Sequence, residues 1–141
     1  MKKIIALLAA ALVSAATLVC AQTAGDPTAQ GADSYADRTT RTINVEDKYA
    51  DLHPTASNVK ITLEYTPLTG EVRLYYECLA ANFEVGEAMN TAMGVFQDFA
   101  QEHGYKHYYY RAKDKTKYFR DNSSGANLRM ARYNSYVYFT K

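Results

Sequence analysis

The sequence predicts an α+β domain: an antiparallel β-sheet with one amphipathic helix packed on one of its faces. Three observations predict it. Residues 59–78 alternate apolar and polar with period 2 on both sides of a turn. Residues 84–103 then switch to the 3.6-residue period of a helix. Beyond Gly104 the chain is rich in Tyr and basic residues, in short runs that suit two to four further strands. Such a switch of period sets one helix over one side of a sheet.

The chain opens on a pattern that precedes any folded element. Lys2 and Lys3 are followed by an uncharged run, Ile4 to Val19, and by Val19-Cys20-Ala21. This is the layout of a secretory signal peptide over residues 1–21, cut before Gln22, and the Met-Lys-Lys start is bacterial in style. The apolar run is short for a membrane span. The expected location is therefore periplasmic or extracellular. Cys20 carries an alternative. A bacterial lipoprotein signal also ends in Cys, and acylation there would anchor the protein to the envelope. Thr17-Leu18-Val19-Cys20 fits that pattern poorly, because Val19 is bulky and Leu18 stands one place late.

Residues 22–38 are mainly Ala, Thr, Gln, Gly and Asp, too poor in large apolar groups to offset ordering entropy, and are expected to form a disordered arm. Over 39–58, Thr39 to Val45 is a candidate edge strand. Glu46 to Asn58 reads as a loop with a helical turn before His53-Pro54. Residues 59–141 are expected to form the single α+β domain.

In the hairpin, Val59, Ile61, Leu63 and Tyr65 share a face with Val72, Leu74, Tyr76 and Cys78, across the turn Pro67-Leu68-Thr69-Gly70. Lys60, Thr62, Glu64, Thr66, Glu71, Arg73, Tyr75 and Glu77 face the other way. The helix is expected from Glu84 to His103, capped by Asn82 and stopped by Gly104. Its apolar face collects Val85, Ala88, Met89, Ala92, Phe96, Phe99, Ala100 and His103. Its wet face holds Glu87, Asn90, Gly94, Gln97, Asp98 and Gln101. Tyr105 to Lys113 reads as a strand and Lys117 to Asp121 as another, with a turn at Asn122-Ser123-Ser124-Gly125. Leu128 to Tyr133 and Tyr136 to Thr140 read as a hairpin around Asn134-Ser135, with a helical turn over 126–133 as the alternative.

Charge is balanced in sum and uneven in placement. The chain has 16 Lys and Arg against 15 Asp and Glu, net +1. Removal of Lys2 and Lys3 with the leader leaves 14 against 15, net −1. Residues 22–103 hold 13 acidic and 5 basic residues, whereas 104–141 hold 9 basic and 2 acidic. Such polarity either marks a surface for an anionic partner or is neutralised across the sheet where the halves meet. Without Cys20 the chain keeps only Cys78, on the apolar side of its strand, where a thiol packs as a small hydrophobe.

No spacing specific to catalysis is present. There is no phosphate-cradling Gly loop, no Gly-x-Ser-x-Gly elbow and no two-Cys metal knuckle. His103 and His107 stand four apart, but Gly104 breaks the helix that would bring them together, and His103 suits the helix C-terminus as a cation. His53 reads as a loop residue, and the pairs Glu46/Asp47 and Glu84/Glu87 as solvated charges. Asn122-Ser123-Ser124 matches a glycosylation sequon that a bacterial exported protein would not use. No catalytic residue, metal or cofactor is expected. Were the protein a hydrolase, His103 and His107 would be its neutral-pH candidates.

The 13 Tyr residues, with no Trp, are the remaining signal. If Tyr108, Tyr110 and Ala112 face the core, then His107, Tyr109, Arg111 and Lys113 face out. If Val137 and Phe139 face in, Tyr136 and Tyr138 face out. One sheet face then carries Arg73, Tyr75, Tyr109, Arg111, Lys113, Tyr136 and Tyr138. Tyrosine combines area, a hydroxyl and few rotors, which suits binding, although half-buried strand tyrosines serve packing equally well. The expectation is a non-catalytic exported binding module for an anionic or glycan-like envelope ligand or another exported protein. A structural or inhibitor-like self-assembling protein is the alternative. Nucleic acid is not an expected partner, and a membrane is one only through Cys20.

Overall fold

The computed structural model describes residues 38–141. The expected leader, Cys20 and all of the expected arm but Arg38 lie outside these residues. Seven strands and helices follow in order: β1 (Arg41–Val45), β2 (Lys60–Thr66), β3 (Glu71–Leu79), α1 (Val85–His103), β4 (His107–Tyr110), β5 (Lys115–Asp121) and β6 (Leu128–Thr140). The six strands form one antiparallel sheet in the order β1-β2-β3-β6-β4, and β5 pairs with β6 beside β4. The one α-helix among the described residues packs on one face, as the change of period predicts. No helix among the described residues is long and apolar enough to cross a membrane.

The hairpin follows the sequence reading in face and turn. Ile61, Leu63, Tyr65, Val72, Leu74, Tyr76 and Cys78 are buried, and strict alternation over both arms fixes the register Leu63↔Leu74. Gly70 adopts φ +67°, and a Cβ there would stand 2.6 Å from the carbonyl oxygen of Phe139. The turn therefore needs glycine, and the Phe139 N–H donates to the Gly70 carbonyl at 2.8 Å.

β6 departs from the expected hairpin. It is one strand of 13 residues and does not turn at Asn134-Ser135. Ser135 is buried opposite Leu74, and Asn134 lies opposite Tyr75. The two polar residues imitate a turn in sequence, but sheet neighbours on both sides hold them extended. The alternative helical turn over 126–133 is likewise absent, because Leu128 begins the strand.

The helix spans the expected length and ends as expected. Gly104 takes the left-handed conformation, φ 69°, with its N–H aimed at the carbonyls of Ala100 and Gln101. Asn82 is not its cap: it lies in a 3-10 turn, and Glu84 occupies the cap position with no side-chain hydrogen bond. The buried face is Ala88, Thr91, Ala92, Val95, Phe96 and Phe99. Val85 and Met89, expected inside, are exposed, as is His103. The cause is the segment 46–58, which folds along the flank expected to be wet. Tyr49 and Leu52 pack over Gly94, where a Cβ would meet Leu52 Cδ1 at 3.1 Å. The Tyr49 hydroxyl donates to Asp98 Oδ2 at 2.7 Å, Lys48 Nζ pairs with the same oxygen at 2.7 Å, and the Thr55 hydroxyl donates to Glu87 Oε1 at 2.6 Å.

This segment holds the expected turn, a single 3-10 turn at Ala50–Leu52. Its His53 is far from a solvated loop residue: it is 2% exposed, edge-on to Tyr76, with ring nitrogens on Asp47 Oδ1 (2.9 Å) and the Ala56 carbonyl (3.2 Å). Asp47 is thus a partner of a buried ring and not a free surface charge.

β4 is shorter than the predicted strand and ends at Tyr110. β4 and β5 run in the same sense along β6, and the four residues 111–114 bulge out where the chain passes from Val137 to Asn134 of its neighbour. The Arg111 N–H donates to the Tyr136 carbonyl at 2.8 Å, and the Tyr133 hydroxyl donates to Asp114 Oδ2, which pins the far end of the bulge. Burial and the Asp114 carboxylate both push the Tyr133 phenol up from its ordinary pKa.

Candidate functional site

Strand pairing orders the sheet face opposite the helix into rows. The first row runs Thr66, Glu71, Tyr138, Tyr109; the second Glu64, Arg73, Tyr136; the third Thr62, Tyr75, Asn134, Lys115; the fourth Lys60, Glu77, Arg132, Lys117. No described residue roofs this face with an element of its own. Six of the seven residues singled out from the sequence belong to it: Arg73, Tyr75, Tyr109, Arg111, Tyr136 and Tyr138. Lys113 does not. It lies in the 111–114 bulge and lines a surface depression with Met89 of the helix; Arg111 shares that bulge and depression but also reaches Glu71 and the Tyr138 ring. Its expected place assumed an unbroken alternation that stops at Tyr110.

The arginines of this face lie over aromatic rings. The Arg73 guanidinium is 4.5 Å from the Tyr136 ring centre, Arg111 is 5.2 Å from Tyr138, and Arg132 is 5.6 Å from Tyr75 and 5.0 Å from Phe119. Tyr109 stacks on Tyr138 with centres 5.3 Å apart and planes 27° from parallel. Carboxylates complete the pattern. Arg111 donates to Glu71 Oε1 at 3.1 Å, Arg132 pairs with Glu77, and the Tyr75 hydroxyl donates to Glu64 Oε2 at 2.9 Å. The Arg111 guanidinium holds the Glu71 carboxyl below its usual range. Burial, helped by Glu64, pushes the Tyr75 phenol up. Arg73 differs from the other two: among the described residues no carboxylate stands within ion-pair distance of it.

Two shallow polar depressions flank Arg73 and Tyr75. One of about 230 Å³ is lined by Thr40, Glu64, Thr66, Glu71 and Arg73. The other, of about 290 Å³, is lined by Lys60, Thr62, Glu64, Tyr75, Glu77 and Arg132. Each mixes donors, acceptors and, in the second, a ring edge. Arg132 and Phe119 escaped the sequence reading because β6 was expected to break at Asn134. One continuous strand with alternating faces would have aligned Arg132 with Tyr136 and Tyr138.

The histidines do not gather. His103 stacks on Phe99 (4.0 Å) and contacts its carbonyl through Nδ1 at 3.0 Å. His107 pairs in register with Thr140, on the face opposite Tyr108 and Phe139. Cys78 is buried, and burial raises its thiol pKa. The chain matches no family model, no curated protein and no solved structure in the comparisons made with each.

Proposed function

We propose that this protein is an exported, non-catalytic binding module whose outer sheet face takes a glycan-like envelope polymer bearing acidic groups. The observation that carries the reading is the Arg73–Tyr136 stack, free of a carboxylate partner, beside the stacked pair Tyr109–Tyr138 on a face that no described element covers. Sugar rings pack on exposed aromatic faces, and hydroxyls need donors and acceptors side by side, which the two polar depressions supply. A guanidinium on a ring with no ion pair within 4 Å, though Glu64 and Glu71 share its depression, adds a seat for a carboxylate or phosphate of the polymer. The broad, shallow shape favours an extended chain over a small molecule.

Migration of the protein through gels containing acidic or neutral polysaccharides tests this. An acidic polymer should retard the wild type. The double variants Arg73→Ala/Tyr136→Ala and Tyr109→Ala/Arg111→Ala should each weaken retardation by about tenfold, the loss expected of central binding residues, with thermal unfolding still cooperative. Equal retardation of wild type and variants, or none by any polymer, refutes the reading.

A further inference from the structure

The sheet ends in two edges of unlike character. Along one, β5 presents Lys115 and Lys117, and the bulge 111–114 interrupts the run; such features obstruct pairing with another strand. Along the other, β1 has the sequence Arg-Thr-Ile-Asn-Val, with no lysine, proline or bulge, and pairs with β2 over its whole length. No further strand lies beyond it among the described residues. In an antiparallel pair the backbone groups of alternate residues point away from the partner, so the stretch Thr42–Val45 offers N–H and C=O groups outward.

Behind this edge a cleft of about 340 Å³ opens between β1 and the last turns of α1. Ile43, Val45, Leu63, Val95 and Phe99 give it an apolar floor, and Ile43 and Val45 are only half-buried. Its rim is acidic. Asp98 is paired with Lys48; Glu46 and Glu102 share the field of that lysine at longer range but have no ion pair within 4 Å among the described residues, so the three carboxylates outnumber the one lysine. A strand laid along β1 would send every second side chain to the helix side of the sheet, into this cleft. Main-chain pairing with pockets for alternate side chains is an established mode of peptide recognition.

We propose that β1 is a strand-addition site for an extended segment of another protein, with apolar side chains entering the cleft and a basic residue meeting Glu46 or Glu102. The test uses the heptapeptide Lys-Thr-Val-Thr-Val-Thr-Lys, which places both Val and both Lys on one face of a strand. Titrated into the full chain, it should shift the backbone amide signals of Thr42–Val45. Two N-methylated peptides, modified at the Val amides or at the Thr amides, separate main-chain pairing from simple stickiness. One pattern should abolish binding and the other leave it. Replacing both Lys of the peptide by Glu, or introducing Glu102→Lys at its exposed position, should weaken binding about tenfold; Glu46→Lys gives a second rim variant should the first disturb the fold. Absence of binding, indifference to both methylation patterns, or equal affinity for the Glu peptide overturns the proposal. So does a peptide-free dimer seen in sedimentation whose amide shifts map to β1, because the occupant is then a second copy.

Discussion

At the scale of the residue, His53 shows how one side chain fixes a segment with little regular structure. Both of its ring nitrogens meet acceptors, Asp47 Oδ1 and the Ala56 carbonyl, and only the imidazolium can donate to both. Burial of the ring lowers its pKa, but Asp47 and Ala56 outweigh burial, and the net shift is upward from 6.5. A raised pKa in the folded state means that stability is fully present below the unfolded value and is lost as pH rises through the folded one. The domain should therefore melt at a lower temperature at alkaline than at mildly acidic pH, with the fall beginning above about pH 6.5, the unfolded reference. Thermal denaturation across this range checks it, and His53→Gln should flatten the slope. The sequence could not announce this role. Nothing in His-Pro says that Asp47, six residues earlier, will fold back beside the ring.

At the scale of the element, Gly94 governs the fit between α1 and the segment 46–58. Read along the helix alone it is a costly glycine on a wet face. In the fold it is the notch that admits Tyr49 and Leu52. Gly94→Leu should destabilise the domain by about 1–3 kcal/mol, the usual range for overpacking, and should raise amide exchange over 46–58. Gly94→Ala should be neutral to slightly destabilising: the helix gains about 1 kcal/mol of propensity and the end of Leu52 can shift aside, but the new Cβ stands 3.3 Å from the Tyr49 ring, which is buried and tied to Asp98. The same contact explains which parts of the helix were legible. Its length follows from period and Gly104. Its orientation does not, because a covering segment turns the buried stripe from Val85 and Met89 toward Thr91 and Val95. The hairpin was legible in full, since strict alternation and the Pro-to-Gly turn are local signals. β6 was not, because Asn134-Ser135 has turn chemistry and only the neighbouring strands override it. The candidate face inherited both outcomes: Arg73, Tyr75, Tyr109, Tyr136 and Tyr138 follow from alternation, whereas Arg132, the reach of Arg111 back to Glu71 and Tyr138, and the displacement of Lys113 depend on pairing over long distances in sequence.

At the scale of the whole molecule, the opposed charges of the two halves meet across the sheet. Glu71 pairs with Arg111 and Glu77 with Arg132, each joining the acidic part of the chain to the basic part. The polarity seen in sequence is thus partly spent within the fold, and it leaves Arg73 as the guanidinium of the face without such a partner. These pairs are exposed on the arginine side, so each should contribute little. A double-mutant cycle with Glu71→Gln and Arg111→Gln should give a coupling below about 1 kcal/mol that shrinks further in salt. A larger coupling would mean that the row around Tyr138 is a rigid structural unit.

The position of β6 has a bearing on how the molecule comes into being. It contacts β3, β4 and β5, yet it follows all three in the chain. During synthesis the earlier hairpin and the helix emerge first, and β4 and β5 then wait for a neighbour that has not yet been made. Closing the long span between β3 and β6 carries the entropic cost of distant contacts, so the β6 half of the sheet is expected to form after the β1-β2-β3 half. A growing chain of this design keeps the outer edges of β3, β4 and β5 unmatched until its last thirteen-residue strand has been made.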